Sequence, residues 1–370
     1  MLLGAGEEEK STVFKQIKSF CGSHMTDEEL AEYKNALKSN VLEAAVALCE
    51  ARRKLDISIV NPHVCEVDER LHSLPLGAEL TISVAEDVAD LWTDQGIQST
   101  YARRKDFWLL DSAEYYMNNC MRIANDSCQP TCQDIMMARI RTTGASTHGV
   151  DHEEKRYTVV DVGGQRNERR KWASCFDKFG AVLYLGGLSG YAQRLFEDNS
   201  VVRMHESLDL LSQVVQNLLP RGTPIFVLLS KLDLFLEYIK AVPLSSCFPD
   251  YTGPEGDPDA ALDFIKAKYT AGVHKPRPDL EVPIYVLGAT YDEEELRAMV
   301  QSIWQRVAEM KEAAKKNLEE LSEGSQSQET TLEFLSEGIQ SQETTCGFEL
   351  GTVTAHAGTH SVSSPAVQQP

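Results

Sequence analysis

Four short apolar runs, YTVVDV, AVLYLGGL, PIFVLLS and VPIYVLGAT, alternate with helical segments in the second half of this 370-residue chain. Runs that stay apolar without alternating are characteristic of strands buried on both faces, where helices cover each side of a parallel sheet. Leu2 and Leu3, in LLGAG, read as the end of one more buried strand. The predicted fold class is therefore α/β, a mostly parallel sheet flanked by helices. In such sheets the ligand crevice lies beyond the carboxyl ends of the strands. LLGAG, DVGG, SKLD and GAT all fall at those ends, so four motifs share one edge.

The segment after the first strand has a different texture. KSTVFKQIKSF predicts a helix with Val13, Phe14 and Ile17 on its apolar side. From Asp27 to Leu55, apolar residues recur at Leu30, Tyr33, Leu37, Val41, Ala45 and Leu48, the spacing of one long amphipathic helix. VAEDVADLWTD and LDSAEYYMNNCMRIA continue in the same style. Residues 22–138 thus read as an all-helical insertion, with 1–21 and 139–316 forming the α/β domain. Residues 317–370 read as an acidic, disordered tail. In it LEELSEGSQSQETT is followed at once by LEFLSEGIQSQETT, and no Lys or Arg occurs after Lys316.

Composition narrows the function classes. A formal charge of −20 argues against a nucleic-acid partner, since phosphate backbones are bound by Lys and Arg. No apolar run is long enough to predict a transmembrane segment. Only Met1, Leu2 and Leu3 precede the first loop, so no secretory signal is expected. The nine Cys are scattered, without paired C-x-x-C sets, which predicts neither a disulfide framework nor a zinc site and suits a reducing cytoplasm.

The edge motifs carry the chemistry. GAGEEEKST, residues 4–12, has the spacing of a phosphate-cradling loop from Gly4 to Lys10 and Ser11, except that Glu9 stands where a second Gly is usual. Backbone N–H groups at a helix N-terminus attract phosphate, and the Lys adds a point charge. DVGGQR ends a strand with Asp161, a candidate Mg²⁺ partner. Gly164 there leaves its N–H bare for a γ-phosphate, and Gln165 can orient a water. ARIRTTG offers Arg139, Arg141 and Thr142, and an Arg beside a phosphate can stabilise transition-state charge. SKLD presents Asp233, whose carboxylate can accept from guanine N1–H and its exocyclic amine and so reject adenine.

Longer stretches go beyond spacing. DVGGQRNERRKW, RIRTTG, LSGYAQRLFED, CFPDYTGPEG and DLWTDQGIQSTYARRKDFWLLDSAEYYMNN closely resemble the α subunits of heterotrimeric G proteins, in order from Gly4 to about Asn317. The resemblance implies a Ras-like P-loop GTPase domain with an inserted helical domain. It implies a GTP/GDP switch with Mg²⁺ that joins a βγ dimer, a receptor and an effector. It also implies roles for individual residues, general to the family: Gly4, Glu7, Lys10, Ser11 and Thr12 around the phosphates, and Ser11, Thr142 and Asp161 at the metal. Arg139 and Gln165 serve hydrolysis, Gly164 senses the γ-phosphate, and Ser230, Lys231, Asp233 and Ala289 hold the base.

Four departures from the family pattern matter. Glu9 replaces Gly, adding a side chain and a charge of the wrong sign where the backbone should approach phosphate. Ser230 replaces Asn, so base contact and loop tethering are expected to weaken. The N-terminal docking helix of the family is not in this sequence and Leu2 precludes myristoylation, so no lipidation signal is expected: either membrane anchoring is lost, leaving a cytoplasmic protein that reaches membranes through partners, or the reading frame is started too late. The C-terminal extension is expected to disturb receptor coupling. The polar GASTHGVDHEEKRY, in place of an apolar edge strand, predicts a looser switch. Trp92, Trp108 and Trp304 are expected to pack helices and Trp172 to join an effector surface. Two functions follow: a GTP-hydrolysing switch, or a nucleotide-impaired interaction scaffold with the same shape.

Overall fold

The computed structural model describes residues 1–20, 25–75, 77–152, 155–172, 179–195, 197–198, 200–219, 223–288 and 293–324. Six strands form one sheet: β1 (Leu2–Leu3), β2 (Ala145–His152), β3 (Lys155–Val162), β4 (Val182–Gly187), β5 (Ile225–Ser230) and β6 (Ile284–Val286). Their order is β2-β3-β1-β4-β5-β6, parallel throughout except for the edge strand β2. The parallel strands therefore end on one edge, as their motifs require. The strand order reverses at β1, which places the loop after β1 at the switch point of the sheet.

The unbroken apolar runs are explained by burial on both faces. Along β5, Ile225, Val227 and Leu229 join one core while Phe226 and Leu228 join the other. The first core is closed by α8 (Arg203–Gln213), α9 (Leu232–Tyr238) and α10 (Pro258–His274). The second is closed by α1 (Lys10–Phe20) and by the first part of α11 (Glu293–Gly324). Each fully buried Leu, Val or Ile contributes about 1.5–3 kcal/mol. A one-residue slip in β5 would exchange its two faces, so register is strongly specified.

Between α1 and β2 run α2 (Asp27–Lys54), α3 (Pro62–His72), α4 (Ile82–Thr93), α5 (Gln95–Ala102), α6 (Ala113–Ala124) and α7 (Cys132–Met137). They enclose a separate apolar core that includes Val41, Leu48, Val67, Leu91 and Tyr116. The length of α2 follows from its ends. Thr26 and Glu29 form a capping box, Asp27, Glu28 and Glu29 occupy the first turn, and Arg52, Arg53 and Lys54 occupy the last. Opposite charges at the two ends complement the helix dipole.

Arg52 and Arg53 also reach across to Asp68 of α3, whose side chain is fully buried. Removing one partner of a buried pair strands the other charge. Asp68→Ala should therefore lower unfolding stability by about 3 kcal/mol, the low end for such pairs because both arginines keep some water contact. Urea denaturation at neutral pH measures it, and a loss below about 1 kcal/mol contradicts the reading.

The polar stretch after Gly144 takes the edge-strand position: β2 pairs with β3 from Ala145↔Val162 to His152↔Lys155. Ladder bonds depend on backbone groups rather than apolar side chains, and Val150 still turns fully inward. The tail does not begin as disordered chain at 317. Helix α11 is described to Gly324, and LEELSE is rich in strong helix formers. The rest of the repeat lies outside the described residues. Trp172 is no surface residue: it is 1% exposed and donates to the Gly163 carbonyl at 2.8 Å.

The chain divides into two units, Met1–Met310 and Lys311–Pro370, and everything below concerns the first. Among the described residues no helix is long and apolar enough to cross a membrane.

Candidate functional site

A cleft of about 520 Å³ opens at the carboxyl edge of the sheet, between the loop after β1 and the helical segment. Glu7, Glu9, Lys10, Ser11, Thr12, Arg139, Thr142, Gly164, Gln165, Lys231 and Asp233 line it. Gly4, Asp161 and Ser230 are buried beside it. Ala289 lies outside the described residues. Residues separated by more than 200 positions in sequence thus meet at one place.

The loop after β1 wraps tightly because of its backbone. Gly4 has φ of 151°, and a Cβ there would collide with the Leu185 carbonyl of β4. Only glycine fits. Glu7 and Glu9 also have positive φ, at 67° and 60°. Left-handed backbone costs a non-glycine residue roughly 1–2 kcal/mol. Glu9 is therefore held in a backbone conformation that glycine adopts freely, and it adds a charge that glycine lacks. Lys10 is 6% exposed and donates to the Ala5 carbonyl at 2.6 Å. Burial pulls its ammonium down to about 8.

Three oxygens converge next to Lys10. Ser11 Oγ lies 2.7 Å from Thr142 Oγ1 and donates to Asp161 Oδ2 at 2.6 Å. Thr142 Oγ1 lies 3.4 Å from the same Oδ2. The other oxygen of Asp161 is buried without a partner, and burial raises this carboxyl above its ordinary value. Hard oxygen ligands with one carboxylate suit Mg²⁺, which is commonly held by one or two carboxylates together with phosphate. Among the described residues no cluster of three His, Cys, Asp or Glu competes with it.

Gly164 sits against this group so closely that a Cβ would meet Lys10 Nζ, with Ala5 O at 2.5 Å and Gly4 O at 2.6 Å. Gln165 follows, half-buried at the cleft wall. The segment beyond is tied to α8. Arg166 and Arg169 both bind Glu206, at 2.6 and 2.7 Å, and Arg169 Nε donates to the Gly164 carbonyl at 2.9 Å.

Arg139 donates to Glu7 Oε1 at 2.6 Å and lies over the Trp108 ring, 5.4 Å from its centroid. Its Nη1 is buried without a hydrogen-bond partner. Trp108 therefore does more than pack helices, for its indole also donates to Glu7 at 3.1 Å. Burial opposes the charge on Glu7, yet Arg203 and Arg139 outweigh it and hold the carboxyl below its ordinary value.

At the far end, Lys231 has φ of 63° and is 3% exposed. It donates to the Glu7 carbonyl at 2.7 Å and to Asp111 at 2.5 Å. Burial works against the Asp111 charge, but Lys231 and Arg203 overcome it and lower this carboxyl to about 2. Burial raises Asp233 above its usual range. Ser230 Oγ is fully buried and finds no partner.

The family model for the G-protein alpha subunit matches residues 1–307. The chain belongs to this family. Among curated relatives it is 40% identical over 283 residues to the guanine nucleotide-binding protein alpha-8 subunit of Dictyostelium discoideum, covering 76% of this chain and 70% of that one. It is 41% identical over 285 residues to the alpha-4 subunit of the same organism, covering 75% and 80%. The alpha-1 subunit of Caenorhabditis briggsae is 41% identical over 278 residues, covering 73% and 78%.

Asp111 and Arg203 escaped the reading of motifs. Both anchor the cleft, Arg203 by donating to the Glu7 carbonyl at 2.8 Å. Asp111 lies within the quoted LDSAEYYMNN stretch and Arg203 just beyond LSGYAQRLFED, and each reads as an ordinary charge near the start of a helix. Asp111 meets Lys231 through the approach of the helical segment to the sheet, whereas Arg203 reaches Gln193 and the Glu7 carbonyl of the loop after β1.

Proposed function

We propose that this member of the G-protein alpha subunit family is a guanine-nucleotide switch that binds GTP and GDP with Mg²⁺ and hydrolyses GTP. The convergence of Ser11, Thr142 and Asp161 beside Lys10 carries the reading. In it these three hold the metal, and Mg²⁺ would offset negative charge on the phosphates. Lys10 and the backbone N–H groups of the loop and α1 bind the phosphates. The orphaned Nη1 of Arg139 is a donor available for charge that grows in the transition state. Gln165 orients the attacking water, and Asp233 accepts from the guanine edge. A βγ dimer, a receptor and an effector are the partners proposed with this function. In this reading residues 1–21 with 139–316 serve as the GTPase domain and residues 22–138 as the helical domain.

Isothermal titration of the unmodified protein with GDP and with a non-hydrolysable GTP analogue, with and without Mg²⁺, tests the proposal. Magnesium-dependent heat for the triphosphate supports it. Silence at millimolar nucleotide favours the second reading, an interaction scaffold, for which the buried charge and strained backbone of Glu9 speak.

Ser230 supplies an independent check. Its hydroxyl pairs with nothing in its buried position, whereas an amide reaches farther and carries both a donor and an acceptor. Ser230→Asn is expected to tighten guanine-nucleotide binding about tenfold, the effect of roughly one added hydrogen bond. Equal or weaker affinity in the variant argues against a base-side role.

A further inference from the structure

Residues 138–143, which carry Arg139 and Thr142, form neither helix nor strand. Something other than ladder bonding must set their path. Two buried polar side chains from different helices fix its start, at Ala138 and Arg139. Asn40 of α2, 4% exposed, grips the Arg139 peptide at both ends: its Oδ1 accepts from the Arg139 N–H at 2.8 Å, and its Nδ2 donates to the Arg139 carbonyl at 3.1 Å. Lys15 of α1, 5% exposed, donates to the Ile135 carbonyl at 3.0 Å and the Ala138 carbonyl at 2.6 Å.

A buried ammonium that donates to two carbonyl oxygens, rather than to a carboxylate, needs a reason. The carbonyls are those at the end of α7, where the helix dipole is negative and the last oxygens have no intrahelical partner. The Tyr33 ring, 4.9 Å from Lys15 Nζ, adds a cation–π contact. Tyr116 closes the remaining gap by donating to the Met137 carbonyl at 2.5 Å. Backbone groups on either side of Arg139 are thus pinned by α1, α2 and α6.

We infer that Asn40 and Lys15 are positioning residues for Arg139, a two-sided clamp that joins the phosphate-loop helix to the helical segment through the backbone leading into the cleft. The inference rests on the proposed hydrolysis for its consequence, though not for its geometry. Arg139 contacts Glu7 and Trp108 through its side chain only, so its main chain depends on the clamp. An arginine displaced by 1 Å loses much of its value for a transition state while ground-state binding changes little.

The test uses the full chain with Asn40→Leu and Lys15→Met, which keep bulk and remove the hydrogen bonds, and Lys15→Arg, which keeps donors. Single-turnover GTP hydrolysis should fall at least about 30-fold in the first two, with GDP affinity within about threefold, and recover in part in Lys15→Arg. Amide hydrogen exchange of the nucleotide-free protein should show Arg139 at least about tenfold less protected in Asn40→Leu, with the core of α2 unchanged. Affinity and hydrolysis falling together, or hydrolysis unchanged while exchange accelerates, overturns the positioning role. Should the unmodified protein bind no guanine nucleotide, the functional reading fails, and exchange alone decides: lost protection at Arg139 supports the clamp, retained protection overturns it.

Discussion

Glu9→Gly is expected to tighten binding of guanosine triphosphate by about 5- to 1000-fold. Two like charges at 4 Å repel by about 1 kcal/mol in water and about 4 kcal/mol at an effective dielectric near 20. Every 1.4 kcal/mol is a factor of about ten. Relief of the left-handed backbone at Glu9 should also stabilise the folded protein by about 1 kcal/mol. Parallel titrations of both proteins at equal Mg²⁺ measure the gain. Identical affinities would mean that the carboxylate does not face the phosphates.

The gain should depend on pH. Burial is the main reason the Glu9 carboxyl is pushed up to about 7; Lys231 opposes the rise, while Asp111, Asp233 and Glu8 add to it. A carboxyl raised in the folded state is protonated, and harmless, at low pH. Its penalty develops as pH climbs from the unfolded value of 4.5 through about 7. The advantage of Glu9→Gly should therefore be largest near pH ~8 and shrink toward pH ~6. A constant ratio across that range would show that the side chain, rather than its charge, is what obstructs.

Arg139→Lys should slow single-turnover GTP hydrolysis by about 100- to 1000-fold, the scale for losing one preorganised donor at developing charge. Nucleotide affinity should stay within about threefold. The substitution keeps the charge but loses the planar fork that lets Arg139 lie over Trp108, bind Glu7 and keep Nη1 spare. Rapid-quench measurement on preloaded protein separates this from release. Wild-type rates in the variant would leave Arg139 as no more than an anchor for Glu7.

Much of the architecture was legible without coordinates. Runs such as PIFVLLS are short, apolar and unbroken, and only a strand covered on both faces sustains them. The helix predicted from Asp27 to Leu55 ends one residue earlier, at Lys54, because its capping box and end charges are local signals. Composition sets the tail boundary at 317, whereas the residues before Gly324 are acidic yet helix-forming.

For the site, the division follows the range of the forces. Gly4, Lys10, Ser11, Asp161, Gly164 and Asp233 lie where strand ends turn into loops or helices, so short-range chain geometry and the period of the apolar pattern locate them from sequence alone. The tertiary structure decided that Glu7 is held by Arg139, Trp108 and Arg203, and that Lys231 meets Asp111 of the helical segment. It decided too that Ser230 is stranded and Trp172 enclosed. These facts depend on desolvation and on contacts between residues far apart in the chain. Neither has a signature in local spacing, because burial and pairing exist only after the two segments have packed.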